Sequence, residues 1–240
     1  MKLVSYAMSG LSMLLGYGSL ILWAVFLYVG PFGILDMGFS TVGAILFNLF
    51  ISLLFFVQHS LMLRTTIKKK IQKVIPELYI GAVFSIASGI TLTASILLWQ
   101  KIPVTLASAD GVMVWVIRAI YFAGLVGMMQ VIISLKGIDP LGVKKIRHHL
   151  SGTKQKLVPL AIGGLYRWVR HPLYFCSIVM TWAHPVLTVD RLFYDVIWTI
   201  WMVIGTILEE RDLLADFGDS YRTYREKTPM LIPYKIPRDI

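Results

Sequence analysis

Gly163-Gly-Leu-Tyr-Arg-Trp-Val-Arg-His-Pro-Leu-Tyr174 sets Arg170 and His171 directly in front of an apolar run that begins at Pro172. A cation and an imidazole at the mouth of a membrane-embedded helix are costly to keep there, which makes them candidates for a functional site. The next apolar run closes on a second polar cluster, Glu209-Glu210-Arg211-Asp212, which leads into Phe217, Gly218, Tyr221 and Tyr224. These two clusters are expected to build one site.

The rest of the chain supports the membrane reading. Of 240 residues, 57% are hydrophobic and only 15% charged, and the mean hydropathy is +0.72, which excludes an ordinary soluble domain. Apolar windows fall at 10–31, 41–63, 78–99, 112–134, 172–188 and 192–208, each a candidate transmembrane segment. The first is too long for a signal-peptide core and lacks a small-residue cleavage site, so it reads as a retained span. The expected fold is all-α and polytopic, one membrane domain over 1–240. A four-helix part covers 1–135; the part over 136–240 holds a loop, a helical hairpin and an amphipathic C-terminal helix.

A net charge of +10 raises the question of nucleic acid, and the placement of the charge answers it. With alternate loops assigned to opposite sides, all but three of the 23 Lys and Arg residues share one side; the exceptions are Lys101, Arg191 and Arg118, the last inside the fourth span. Topology alone explains the excess, no nucleic-acid module is visible, and both termini are expected in the cytoplasm. Arg118 is expected to snorkel to the outer interface. The single cysteine, Cys176, forms no intrachain disulfide and carries no oxidising-compartment signal.

The last two apolar segments are about 17 residues each, about 25 Å of helix, against a hydrocarbon core of about 30 Å. Ala183-His184-Pro185 and Asp190 mark a turn between them. The resulting hairpin returns Glu209 and Glu210 to the depth of Arg170 and His171. Pro172 suits the first turn of a helix, which puts His171 near its N-cap. Free N–H groups there, with Arg170, suit a carboxylate or phosphate, while the glutamates suit an ammonium or hydroxyls. Cation and carboxylates together match a zwitterion such as an amino-acid moiety; the competing reading is an ion-pair network that only pins the hairpin. Leu213, Phe217, Tyr221 and Tyr224 fall on one helical face, readable as a membrane-surface stripe or as a ligand wall. His148-His149 are adjacent and lack partners at ligand spacing, so no metal site is expected.

Gly164 to Tyr174, Glu209-Glu210, Phe217-Gly-x-x-Tyr221-x-x-Tyr224 and Pro229 together resemble the C-terminal signature of the isoprenylcysteine carboxyl methyltransferase and phospholipid methyltransferase superfamily. The resemblance implies an S-adenosylmethionine site facing the cytoplasm, with Gly164, Tyr166, Arg170, His171, Tyr174, Glu209, Glu210, Tyr221 and Tyr224 as cofactor-site residues. Gln58-His59-Ser60, Pro76-Glu77, Trp99 and Asp139-Pro-Leu-Gly142 are similar to the membrane methanethiol S-methyltransferases and their NnrU-like relatives. Two positions depart from that pattern: Leu78-Tyr79-Ile80-Gly81 replaces an expected Arg-Ser pair, and Gly137 an expected histidine. This likeness implies methylation of a small or lipid-soluble thiol, methanethiol giving dimethyl sulfide, beside membrane lipid. Arg170, His171, Glu210 and His59 are then the catalytic candidates. A lipid-amine or prenylcysteine methyltransferase, an NnrU-like non-catalytic protein and a sterol-reductase-like protein remain alternatives.

Overall fold

The computed structural model describes residues 2–135, 139–153, 160 and 162–235. Gly137 and the basic residues Lys136, Lys154, Lys156 and Arg238 lie outside the described residues. The elements are α1 (Lys2–Val29), α2 (Thr41–Leu63), α3 (Thr65–Ile71), α4 (Ile80–Leu97), β1 (Thr105–Ser108), α5 (Gly111–Ser134), α6 (Val143–Ser151), α7 (Pro172–Trp182), β2 (Val186–Thr188) and α8 (Val189–Lys227). The chain is an all-α membrane protein. Among the described residues five helical stretches are long and apolar enough to cross a bilayer: α1, α2, Glu77–Leu97, α5 and α8.

Two compact units divide the chain. The first comprises 1–102 and 137–157. Here α1 presents Ser5, Ser12, Gly16 and Ser19 as a buried face, small residues that let helix backbones approach where lipid offers no hydrophobic driving force. Gly89 of α4 meets the Leu15 carbonyl, and Ser12 donates to the Leu141 carbonyl at 2.6 Å. Asn48, fully buried, donates to the Gln100 carbonyl at 2.9 Å and accepts its N–H at 2.8 Å, so α2 pins the end of the third span.

Asp139-Pro-Leu-Gly142 is a turn in this unit. The Asp139 carboxylate accepts the Lys145 N–H at 2.9 Å and so caps α6. Gly142 sits at φ 67, and a Cβ there would run into the backbone of Gly81 and Ala82. Gly142→Ala is therefore expected to destabilise the protein by about 2 kcal/mol or more, left-handed strain adding to a clash that backbone cannot relieve. Unfolding in mixed micelles of increasing SDS fraction measures it.

The second unit comprises 103–136 and 158–240, so the fourth span, α5, groups with the C-terminal elements. α7 packs on α5 where Gly124 meets Met180 and Gly127 meets Cys176. The helix expected over 172–188 stops at Trp182. Pro185 biases His184 away from helix, and β-branched Val186 and Thr188 suit a strand. β2 accordingly pairs antiparallel with β1, bracketed by Ala109 N–H to the Pro185 carbonyl at 2.8 Å and Val189 N–H to the Val104 carbonyl at 3.0 Å. At 11 residues α7 is only about 16 Å long, and an extended segment completes its passage to the turn. That end of the hairpin is tied by His184, whose Nδ1–H donates to the Val186 carbonyl at 2.9 Å while Nε2 meets Asp195 at 2.8 Å. Arg118 stands near Arg191 in this same acidic surround of Asp190 and Asp195.

Candidate functional site

The site is assembled from three pieces of the second unit. Gly164–Arg167 forms a 3-10 turn that starts at φ 59 on Gly164, a left-handed conformation that favours glycine. The chain then bends at Arg170 and enters α7 at Pro172, whose fixed φ and absent N–H suit the first helical position. That passage is held by the C-terminal segment: the Arg170 N–H donates to the Pro229 carbonyl at 2.8 Å and the His171 N–H to that of Met230 at 3.2 Å.

α8 carries Glu209 and Glu210 and continues past them, because Arg211 to Phe217 contains nothing that breaks a helix. At Gly218 the backbone turns to φ 53, ψ −126, a combination essentially confined to glycine. The bend separates the residues expected on one amphipathic face. Leu213 and Phe217 stay half-buried on the long helix, whereas Tyr221 and Tyr224 are 1% and 2% exposed. These two tyrosines are buried walls of the site and not a surface stripe.

Arg170 and Glu210 form the centre, each side chain 8% exposed. Nε donates to Glu210 Oε1 at 2.6 Å and Nη2 lies 2.5 Å from the same oxygen. Nη1 donates to the carbonyls of Arg225, at 3.0 Å, and Thr228. Of the five guanidinium N–H donors, four are thus engaged and one on Nη2 is left. Glu210 Oε2 faces Arg225 Nε at 3.5 Å. Burial without screening makes this pair strong in mutual attraction and costly to break from one side.

The remaining residues surround the pair. Glu209 is 45% exposed, its Oε2 3.7 Å from His171 Nδ1, and its carboxylate accepts from the Tyr174 hydroxyl. The Tyr224 hydroxyl donates to the Tyr166 carbonyl at 2.6 Å. Burial first, and then the Glu209 charge, push the Tyr166 phenol up to about 12, so it stays a neutral donor at working pH. Within this cluster two buried polar atoms close no hydrogen bond among the described residues. One is His171 Nε2, 3.4 Å from Glu210 Oε1 but misaligned. The other is the Tyr221 hydroxyl, which lies against Arg170 and Glu210 and interacts with both but closes no well-aligned hydrogen bond. Buried orphans of this kind call for a partner.

Tyr166, Arg170, His171, Tyr174, Glu209, Glu210, Tyr221 and Tyr224 thus gather around one cluster, with Gly164 shaping its entry turn. His59 belongs to the first unit, its ring between those of Phe55 and Phe84 at 5.3 and 5.0 Å and its Nδ1 3.2 Å from Ser88 Oγ. Sequence reasoning missed the carbonyls of Arg225, Thr228 and Met230, which carry no side-chain signal. The Arg225 side chain did have one, standing four residues after Tyr221.

No protein-family model matches the chain, and no solved structure matches it. The sequence is 30% identical to Methanethiol S-methyltransferase 1 of Bradyrhizobium diazoefficiens over 197 residues, 82% of this chain and 69% of that protein. It is 30% identical to Methanethiol S-methyltransferase 2 of the same organism over 233 residues, 96% of this chain and 88% of that protein. More distant is Nurim of Xenopus laevis, 24% identical over 168 residues, 66% of this chain and 59% of that protein.

Proposed function

The chain belongs to the methanethiol S-methyltransferase family, and on that premise we propose that it methylates a small thiol with S-adenosylmethionine as donor. Methanethiol would give dimethyl sulfide. The reaction is assigned to the cytoplasmic face, with both termini on that side, because the basic loops share the side of Arg170.

The residues present fit the donor. The observation that carries the reading is the combination, in one buried cluster, of an arginine with one N–H left over, a half-exposed carboxylate and two orphaned polar atoms. The spare Arg170 Nη2–H suits the methionyl carboxylate, Glu209 its ammonium or a ribose hydroxyl, and Tyr221 and His171 Nε2 the remaining polar edges. When bound, S-adenosylmethionine supplies a methyl group on a cationic sulfur.

What the chain itself contributes is position. Methyl transfer from a sulfonium is an in-line displacement, and alignment in a water-poor pocket supplies much of the acceleration. Glu210 holds Arg170, while the bend at Gly218 brings Tyr221 and Tyr224 over it. The acceptor must lose its thiol proton, and the thiolate fraction rises beside cations. Arg170 provides that field, and His171 is the imidazole assigned to the proton.

Calorimetric titration of S-adenosylmethionine into the protein in lipid nanodiscs tests the reading. Saturable binding is expected, and Glu209→Gln is expected to weaken it by about ten- to a hundredfold, the loss of one charge-assisted hydrogen bond. Because Glu209 is half-exposed, SDS unfolding of the variant should match wild type. Absence of saturable binding, or binding indifferent to Glu209→Gln, overturns the reading.

A further inference from the structure

Behind the polar cluster lies a half-open pocket of about 370 Å³ whose lining is almost wholly apolar, with Ile120, Ala123 and Trp168 exposed at its rim. Pro172, Phe175, Cys176 and Val179, one face of α7, close it on one side, and α5 closes it on the other around Ala123 and Gly127. α7 turns its other face, with Tyr174, toward Gly205 and Glu209 of α8. Val169 and Pro172, which line the cavity, flank Arg170 and His171 in sequence, so one turn of chain separates it from the polar cluster.

The size does not suit methanethiol. A heavy atom with its hydrogens fills about 30 Å³, the share of one water in the liquid. Methanethiol, with two heavy atoms, would occupy only about a sixth of the cavity, and a chain of about twelve heavy atoms would fill it. The volume falls within the range of about 300–1,000 Å³ found for small-molecule sites. Among the described residues its walls hold no charged side chain, and a thiol needs none.

Resting on the function proposed above, we propose that this cavity receives the alkyl chain of the acceptor, so that thiols of up to about ten carbons are better substrates than methanethiol. The chemical balance is that of the short substrate. The thiol gives its proton to His171, its sulfur gains the S–CH3 bond, and S-adenosylhomocysteine leaves with the electron pair of the bond broken.

The test is a series from methanethiol to dodecanethiol, assayed with labelled S-adenosylmethionine on the protein in nanodiscs, beside Ala123→Phe, which fills the cavity from α5. Each buried methylene should raise kcat/KM by about fourfold until the cavity is full. Ala123→Phe should abolish the gain and leave methanethiol turnover unchanged. A flat series, or a variant that depresses all thiols equally or none, overturns the proposal. If no thiol is methylated, the functional reading fails by itself, and the cavity is judged by equilibrium retention of labelled methyl octyl sulfide. Retention above Ala123→Phe supports a chain site, and equal retention overturns it. Native mass spectrometry separates the other source of an alkyl chain: a phospholipid that Ala123→Phe releases and methyl octyl sulfide does not displace makes the cavity a lipid seat and overturns the assignment to substrate.

Discussion

Arg170→Ala is expected to lower affinity for S-adenosylmethionine at least a hundredfold and to destabilise the protein by about 3–5 kcal/mol, the range for a buried pair broken from one side. The two effects have different origins. The stability loss comes from Glu210, whose carboxylate, 8% exposed beside Arg170, would be left facing His171 Nε2 at 3.4 Å and Arg225 Nε at 3.5 Å. The affinity loss comes from the missing Nη2–H and from the Arg225 and Thr228 carbonyls, which Arg170 holds in place. Replacing both partners separates them, since apolar pairs of similar volume often match or exceed a buried ion pair in stability. Arg170→Met with Glu210→Leu should recover most of the unfolding midpoint in SDS and none of the binding. A double variant that regained binding with stability would reduce the pair to a pin for the hairpin.

That alternative was visible in the sequence, and so was most of the frame around it. The limits of α2 at 41–63 and of α5 near 112–134 follow from hydropathy alone, because both helices end where the apolar run ends. The other helices depart for particular reasons. α1 begins at Lys2, before its apolar window, and its buried Ser5 bonds the Tyr79 hydroxyl at 2.9 Å, a tertiary contact that hydropathy does not register. α7 stops early because an apolar run of Ala, Val and Leu reads alike as helix or strand, and β1 decides the matter from far along the chain. α8 outlasts its window because Glu209 to Phe217 are adequate helix formers once the helix is under way.

The polar cluster was legible for a different reason. Arg170, His171, Glu209 and Glu210 are side chains that an apolar chain does not place without cause, and the hairpin made their depths equal. What the sequence could not convey is their division of labour. Arg170 satisfies four of its donors within the protein, two of them on carbonyls. Glu210 is spent on holding it, and Glu209 is the carboxylate left open. The apolar cavity was equally hidden, since Gly124, Gly127 and Cys176 look like ordinary helix packing until α5 and α7 are set side by side.

Gly218→Ala is expected to raise the dissociation constant for S-adenosylmethionine by about ten- to a hundredfold while the membrane helices remain folded. At φ 53, ψ −126 an L side chain carries a strain of about 1–3 kcal/mol. The flanking sequence is helical on both sides, so the cheapest relief is to straighten α8 through the bend. Straightening carries Tyr221 and Tyr224 away from the Tyr166 carbonyl and Arg170, and withdraws the Thr228, Pro229 and Met230 carbonyls that receive the Arg170 side chain and the Arg170 and His171 backbone N–H groups. Among the described residues a Cβ at 218 meets no neighbouring atom within 4 Å, so the effect reports backbone conformation and not a clash. Asparagine, which tolerates the left-handed helical region but not this ψ, should fail to rescue. Trypsin provides the second readout: Arg222, Arg225 and Lys227 should be cut faster in the variant, with saturating S-adenosylmethionine slowing the cleavage in wild type alone. Unchanged affinity in Gly218→Ala would mean that the tyrosines and the C-terminal carbonyls are not part of the binding site, and Arg170 would then have to hold its ligand without them.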